Sequence, residues 1–239
     1  MQQPILKPLS AEFERDPQIN VHSHPIDMKL EGNQLVLSGE VDSIGAKRRA
    51  LALAGTTLPQ YAILDEIRLT PGETRAEDEM REIATRHLNE EPVFHAYALN
   101  TRDEYGNPIT IQAGDGAPNQ TIDLNVSENT ITLAGRVGSL THQRLAEVLM
   151  WWVPGCTFVQ NGLEVDPPEN DNGELADAVA MVLEKDPLVH ESQVTVREKG
   201  GTIILRGSVA NDEERRFAEL DAWYVPGIQN VVNEIESRS

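Results

Sequence analysis

Cysteine, aromatic residues and positive charge are all scarce in this sequence. One cysteine, Cys156, stands among 239 residues, so no internal disulfide can form, which fits a reducing compartment. We expect it to be a small buried hydrophobe. Lys and Arg number 20 against 39 Asp and Glu, a formal charge of −19. A chain with so little positive charge does not attract phosphate backbones, which argues against nucleic-acid binding and against membrane adsorption driven by charge.

Long apolar runs are missing as well. No stretch approaches the roughly 20 apolar residues that a membrane span needs, so no transmembrane segment is expected. The first residues show no basic leader followed by an apolar segment. With 39% hydrophobic and 25% charged residues, the composition is globular rather than disordered. We expect a soluble protein, cytoplasmic as the sequence stands and periplasmic if a signal peptide has been removed.

What the sequence does contain is one pattern repeated three times. Its clearest element is a strand in which apolar residues and glycine alternate with period two, at 35–43, 131–139 and 203–211. Each copy ends at a residue that commonly caps helices, and these residues are Ser43, Ser139 and Asn211. A helix is predicted after each cap, ending near a proline, and a last alternating strand follows it.

The middle strand of each copy carries a glycine, namely Gly39, Gly135 or Gly207. Because glycine lacks a Cβ, it permits another backbone to approach closely, and we expect that backbone to belong to the packed helix. A bulge is the alternative interpretation. Recurrence at one position favours packing.

Each copy also begins with a helix candidate and a hairpin. The helix candidates are 10–15, 78–88 and 174–185, and the first is short. Hairpins make neighbouring strands antiparallel, whereas a helical crossover makes them parallel. The predicted fold class is therefore α+β, with three tandem αββαβ modules, each a small mixed three-stranded sheet with two helices on one face. The predicted domains are 1–71, with a degenerate first helix, 72–166 and 167–239.

The second module contains extra residues. From Pro92 to Gly135 the chain advances 43 positions, against 20 from Pro187 to Gly207, so the second module holds an insertion of 23 residues, assigned to the loop 100–120. Inserted loops often carry function, although a tolerated surface hairpin explains the insertion equally well. Its segment Ile-Thr-Ile-Gln, at 109–112, could add an edge strand.

The repeated motif, Leu-x-Gly-x-Val followed by Pro-Gly and Val-x-Asn-x-Leu or Val-Val-Asn-x-Ile, resembles the BON domain of bacterial osmotic-stress and nodulation proteins. The third copy matches well, the second fairly, and the first partly, with Gln60 and Asp65 in place of the motif's glycine and asparagine. The resemblance implies a non-enzymatic module. Relatives bind phospholipid or associate with the envelope, and one intracellular relative that pairs a BON with a LysM domain binds potassium.

Catalytic and metal-binding patterns are not evident. No nucleophile with a base, paired carboxylates or glycine-rich phosphate loop has a suitable context, so no catalytic residue, no cofactor and no enzyme activity is expected. His22 and His24 point the same way if the segment is extended, but they lack the third ligand that zinc sites usually require.

Two aromatic residues and one basic cluster are the binding candidates. Trp151 and Trp223 lie out of phase with the apolar stripes of their helices, so we place them at a rim, where they could pack between modules, contact a partner or lipid, or be buried. Lys47, Arg48 and Arg49 form a basic cluster on the polar face of a helix start, although such clusters are usually only solvated.

Charge is distributed unevenly over the three modules. Cut after Pro71 and Pro168, the segments contain 7 basic and 9 acidic residues, 6 and 15, and 7 and 15, so their charges are −2, −9 and −8. The expected function is non-enzymatic binding of phospholipid headgroups or a partner protein, linked to the envelope or to osmotic stress. The alternative is a cytoplasmic sensor that binds a cation such as potassium.

Overall fold

The computed structural model describes residues 3–103, 105–115, 120–166, 174–189 and 194–238. Within it the chain forms two compact units. Unit 1 combines Met1–Thr70 with Leu188–Ser239, and unit 2 is Pro71–Pro187.

The first part of unit 1 is a three-stranded sheet covered by two helices. The elements are α1 (Gln3–Arg15), β1 (Ile26–Glu31), β2 (Gln34–Val41), α2 (Ile44–Thr57) and β3 (Ala62–Leu69). The sheet order is β1-β2-β3, with β1 antiparallel and β3 parallel to the central strand. Apolar side chains of both helices and all three strands form one core.

Helix α1 is longer than the sequence indicated. It begins at Gln3 rather than at residue 10 and runs through Pro8. Leu6, Leu9 and Phe13 are buried at helical spacing, and α1 contacts α2. Burial of this stripe outweighs the cost of an internal proline, so the predicted short first helix is wrong.

The second part of unit 1 is another three-stranded sheet. Its elements are β9 (Val194–Lys199), β10 (Thr202–Val209), α6 (Asp212–Tyr224) and β11 (Asn230–Ser237), in the order β11-β10-β9. Helix α6 packs on β10 and β11 and also contacts α2. The two parts of unit 1 therefore meet through these two helices.

Unit 2 is built on a five-stranded sheet. Its elements are α3 (Glu77–Glu90), a 3₁₀ turn (Pro92–Phe94), β4 (Ala98–Arg102), β5 (Pro108–Gln112), β6 (Thr121–Ser127), β7 (Thr130–Val137), α4 (Leu140–Trp151), β8 (Phe158–Val165) and α5 (Glu174–Lys185). The sheet order is β5-β4-β6-β7-β8. The insertion supplies β4 and β5, and β5 forms an outer edge.

The predicted mixed α+β class is confirmed, with three small mixed sheets and six helices in the described part of the chain. The prediction of three strands for the second sheet is wrong, because the insertion adds two strands. Helix α5 was expected on the third sheet, yet it packs against α4 in unit 2, where Leu175, Val179 and Val182 are buried. The domain boundaries 1–71, 72–166 and 167–239 stay a prediction, and the two compact units divide the chain differently.

The glycines of the middle strands approach a neighbouring strand rather than a helix. Gly39 and Gly135 have φ of 129° and 117°, where a side chain would be strained. A Cβ on Gly39 would lie 2.5 Å from the carbonyl oxygen of Pro25, and one on Gly135 would lie 2.2 Å from that of Thr121. The prediction of close backbone approach is confirmed, but the approaching backbone was assigned wrongly.

The predicted helix caps are present. Ser43 accepts a hydrogen bond from the amide of Ala46 at 3.2 Å, and Ser139 accepts one from that of His142 at 3.0 Å. Asn211 caps α6 in the same way. None of the described helices is both long enough and apolar enough to span a membrane.

Candidate interaction surface

In the second and third modules, an asparagine ties the last strand to the preceding helix. The Asn161 amide donates to the carbonyl of Gln143 at 3.0 Å and to Glu147 Oε2 at 3.1 Å, and its oxygen accepts from the amide of Leu163 at 3.2 Å. Asn233 makes the equivalent three bonds in the third module. An amide side chain can do this because it carries both a donor and an acceptor.

In the first module, an ion pair makes this connection, here called the joint, between the last strand and the preceding helix. Asp65 takes the place of the asparagine and cannot donate when ionised. Its carboxylate accepts from the amide of Ile67 at 3.0 Å and from Lys47 Nζ at 2.8 Å, and the ammonium also donates to the carbonyl of Ile67. Lys47 is only 1% exposed. Its predicted place on a solvated face is therefore wrong, because it substitutes for the missing amide donor.

The other two basic residues of the predicted cluster also make internal contacts. Arg48 Nη2 donates to the carbonyl of Tyr224 at 3.3 Å. Arg49 Nε donates to Asp16 Oδ2 at 2.7 Å, and its Nη1 donates to the carbonyl of Gln229 at 3.1 Å. The arginines thus bridge the two parts of unit 1. Binding by this cluster stays a prediction; all three side chains make internal contacts, and the two arginines are half-buried.

Both candidate tryptophans are buried rather than exposed at a rim, which agrees with two of the alternatives, packing between modules for Trp223 and ordinary burial for Trp151. Helix α4 contacts β7, β8, α3 and α5, and it is therefore enclosed on several sides. Trp151 lies in that enclosure and donates from Nε1 to Glu147 Oε1 at 3.3 Å. Trp223 packs on Gly45 at the contact between α6 and α2. The neighbouring Trp152 and Tyr224 are half-buried.

His22 and His24, for which the sequence predicted no metal site, do not come together with further ligands among the described residues. His24 Nε2 lies 3.9 Å from Asp42 Oδ2, and the segment of His22 and His24 is a turn rather than a strand. Within the described residues there is no cluster of three or more His, Cys, Asp or Glu side chains that could hold a metal ion. Cys156 is buried, as predicted.

The inserted hairpin is closed by a turn built around Asp103. Its Oδ1 accepts from the amides of Tyr105 at 2.9 Å and Asn107 at 2.7 Å, and its Oδ2 accepts from Asn107 Nδ2 at 2.8 Å. The Asn107 side chain, followed by these backbone amides, lowers the pKa of the Asp103 carboxyl. The ionised form therefore favours the turn, and this contribution is lost as the pH falls through the lowered pKa.

The far end of the hairpin is also held in place. Gln112 Nε2 lies within hydrogen-bond distance of the carbonyls of Phe94 and His95, both at 2.9 Å, and of Tyr97, at 2.7 Å. Gly114 follows with φ of 71°, and a Cβ there would lie 2.5 Å from the backbone nitrogen of Ala98. The chain thus returns tightly against the 3₁₀ turn, so the hairpin has a fixed position.

Exposed hydrophobic residues concentrate on this hairpin. Tyr105 is 82% exposed, Ile109 40% and Ile111 38%. Only four other large hydrophobic side chains are exposed in the described part of the chain, and they are scattered over the remaining sequence. The hairpin is therefore anchored at both ends and exposes apolar side chains between these anchors.

A groove runs between this strand and α3. It has a volume of about 390 Å³, and Ile109, Ile111 and Thr101 form its strand side. Side chains of α3 with charges of both signs, among them Arg81 and Glu82, form the other side. The Thr101 hydroxyl is buried and has no hydrogen-bond partner among the described residues.

On the opposite face of the sheet, a ladder of polar side chains ends at β5. Asn100 donates from Nδ2 to Asp123 Oδ1 at 2.8 Å, and the Thr110 hydroxyl donates to Asn100 Oδ1 at 3.1 Å. The Asp123 carboxylate sets this direction because it can only accept. The Thr110 oxygen, whose proton is donated to Asn100, keeps its capacity to accept a hydrogen bond.

The model of the BON domain family matches the chain at residues 110–167 and 171–239, which is more than half of its length. The chain belongs to the BON domain family. Two BON segments are matched rather than the predicted three, and the unmatched first module is the one with Asp65 in place of the BON asparagine. No curated protein matches the chain significantly.

Two solved structures of CdsD, a structural protein of the Type III secretion system of Chlamydia trachomatis, align with this BON protein. The structure of the CdsD C-terminal domain is 16% identical, covers 92% of this chain and 93% of its own, and has a TM-score of 0.25. The other structure is 15% identical, its alignment covers 98% of this chain and 91% of the CdsD chain, and its TM-score is 0.24. At these scores the alignments carry no functional argument.

The surface on the inserted hairpin was only partly visible in the sequence. The alternation of Ile109 and Ile111 predicted the edge strand, which is confirmed, but it did not indicate which face they would occupy. Asn100, Thr101 and Thr110 gave no signal, because their contacts depend on which strands become neighbours.

Proposed function

We propose that this BON protein is a non-enzymatic, protein-binding protein and that a partner protein docks on the inserted hairpin of unit 2. The observation that carries the proposal is the exposure of Tyr105, Ile109 and Ile111 on a hairpin anchored at both ends. Holding three large apolar side chains in water is unfavourable, and a fixed apolar patch is typical of a docking site.

Charge supports a protein partner over an anionic phospholipid surface. The segment that contains the hairpin has a charge of −9, with 6 basic and 15 acidic residues at 72–168. The basic cluster that would suit lipid headgroups is occupied by Asp65, Asp16 and backbone carbonyls. Long-range repulsion therefore opposes anionic lipid at unit 2. Phospholipid binding, an envelope or osmotic-stress role, and cation sensing are the alternatives that the family resemblance suggests.

The test compares capture of proteins from an extract of the host cells by three forms of the full chain. The wild type is compared with the double variant Ile109→Lys with Ile111→Lys, which makes the patch polar. Loss of at least tenfold of a specifically captured protein is expected in the double variant, because both apolar contacts are removed. Quantitative mass spectrometry of the bound fractions provides the measurement.

Leu64→Lys is the matched control, since Leu64 is a similarly exposed strand residue, 39% against 40% for Ile109, outside the hairpin. It should capture the partner like the wild type, and circular dichroism should show all three forms folded. Equal capture by the double variant would contradict the proposal. Co-flotation of the wild type with vesicles of anionic phospholipid would favour the lipid alternative.

A further inference from the structure

Strand β5 differs from the other sheet edges in its lack of charge. Edge strands of natural proteins are commonly protected by charged residues, which oppose pairing with another chain. Six strands form sheet edges in the described part of the chain, and five of them, β1, β3, β8, β9 and β11, contain charged residues. Strand β5, with the sequence Pro-Ile-Thr-Ile-Gln, contains none. Pro108, which lacks a backbone donor, and a bulge in the pairing with β4 are the protective features that β5 has, so pairing of its outer edge is limited to residues 109–112.

The helix-side face of β5 favours apolar residues in an added strand. Ile109 lies opposite Thr101 in the register with β4, and Ile111, beside a bulge in that register, lines the same groove. A strand paired to the outer edge of β5 would place alternate side chains beside these two isoleucines and over the groove. Apolar side chains there would cover the exposed isoleucines.

The other face of β5 favours hydrogen-bond donors. The ladder from Asp123 through Asn100 leaves the Thr110 oxygen as an acceptor at the edge. Side chains of an added strand on this face therefore need to donate. Arg102, the basic residue nearest this end of β4, donates to the carbonyl of Gly106 at 2.9 Å within the hairpin turn. With a segment charge of −9, donors that carry positive charge are favoured over neutral ones.

We infer that the partner docks through an extended segment that pairs with the outer edge of β5, with apolar residues toward α3 and cationic residues on the opposite face. This inference rests on the proposed function and names the chemistry of the partner. Backbone hydrogen bonds to an edge strand provide affinity, and the alternating side chains provide selectivity. A second copy of this chain is the less suitable occupant, because residues 72–168, which contain the hairpin, have a charge of −9 in each copy and repel each other.

Defined peptides test the inference with the full chain. The probe is a fluorescein-labelled heptapeptide that alternates lysine and valine. One comparison peptide has glutamate in place of lysine, and another has the lysine peptide's backbone N-methylated at alternate residues on its pairing edge. Fluorescence anisotropy is expected to show binding of the lysine peptide and at least tenfold weaker binding of both others, because the first lacks complementary charge and the second lacks donors to β5.

A variant that adds charge to the edge provides the second test. Thr110→Lys gives β5 the charge that the other edge strands have and removes the acceptor, so at least tenfold weaker binding of the lysine peptide is expected. Gln160→Lys, on the exposed face of the edge strand β8 in the same unit, changes the net charge equally and should bind like the wild type. Amide hydrogen exchange at 109–112 should slow on peptide binding.

Several results would overturn the inference. The first is that the lysine peptide does not bind, or that the N-methylated or glutamate peptide binds as tightly as the lysine peptide. The second is that the Thr110→Lys variant binds the lysine peptide as tightly as the wild type does. The third is that light scattering shows a dimer of the wild type that Thr110→Lys dissociates. If the peptides fail while capture from the extract still depends on Ile109 and Ile111, the inference fails and the proposed function stands. If that capture is also independent of them, both fail.

Discussion

The first and third modules join the last strand to the preceding helix in chemically different ways. In the third module, Asn233 donates to the backbone carbonyl of Arg215 and to Glu219, so the identity of the residue at 215 is of little consequence. In the first module, the joint depends on one buried side chain, Lys47, and its carboxylate partner Asp65. The same connection is a neutral amide in one place and an ion pair in the other.

The difference shows that the departure of the first module from the BON motif is a paired change. Lys47 and Asp65 are 18 residues apart, and so are Arg215 and Asn233. Exchange of an amide for a carboxylate removes the donor, and the lysine side chain restores it. The cost is a buried charge pair, which is stable only while both members are present.

The largest expected effect follows from breaking the ion pair. Lys47→Met leaves the Asp65 carboxylate without its countercharge and the Ile67 carbonyl without this donor, so we expect a loss of about 2–3 kcal/mol in the free energy of unfolding. Urea unfolding followed by Trp223 fluorescence measures it for unit 1, in a background with Trp151→Phe and Trp152→Phe.

Arg215→Ala is the matched control for this experiment, since it removes the side chain at the corresponding position while keeping the backbone acceptor of Asn233. It should change the unfolding free energy by no more than about 0.5 kcal/mol. Equal losses in Lys47→Met and Arg215→Ala would show that the two joints are equivalent.

A smaller effect is expected when the amide of the third module is made acidic. Asn233→Asp removes two donated hydrogen bonds and places a carboxylate beside Glu219 with no lysine to balance it, so a loss of about 2 kcal/mol is expected. The same urea experiment measures it. Gln34→Glu, at an exposed position of β2 in unit 1, adds the same charge and should cost much less. A wild-type midpoint for Asn233→Asp would contradict this role of the amide.

The smallest effect is expected when one joint is converted into the other. Lys47→Gln combined with Asp65→Asn reproduces the residues of the second module, Gln143 and Asn161, and should unfold within about 1 kcal/mol of the wild type. The two single variants should each lose more than the double variant. Additive losses in this cycle would mean that the two residues are not coupled.

Local signals in the sequence predicted the local structure well. The caps Ser43 and Ser139 and the glycines Gly39 and Gly135 were identified from residue type and spacing, because capping and positive φ depend on a few neighbouring atoms. The edge strand of the insertion followed from the alternation of its isoleucines. Of the candidate interaction surface, the sequence located only this edge strand.

Long-range placement was not predictable in the same way. Lys47 stands beside two arginines in the sequence, and such a cluster predicts a solvated helix face. Its burial depends on the contact with Asp65, which the sequence does not show. The apolar stripe of α5 predicted a helix but not that α4 would be its partner. Trp151 was assigned to a rim because a single stripe describes a helix covered on one side, whereas α4 is enclosed on several.

The discontinuity of unit 1 has a consequence for biosynthesis. Its first segment, Met1–Thr70, leaves the ribosome early, but α6, which contacts α2, is made only after the whole of unit 2. During translation we expect unit 2 to be completed before unit 1, because the face of α2 that α6 contacts stays uncovered until α6 has been made. Arg48 and Arg49, which bond to the carbonyls of Tyr224 and Gln229, would then close the unit among the last steps of folding.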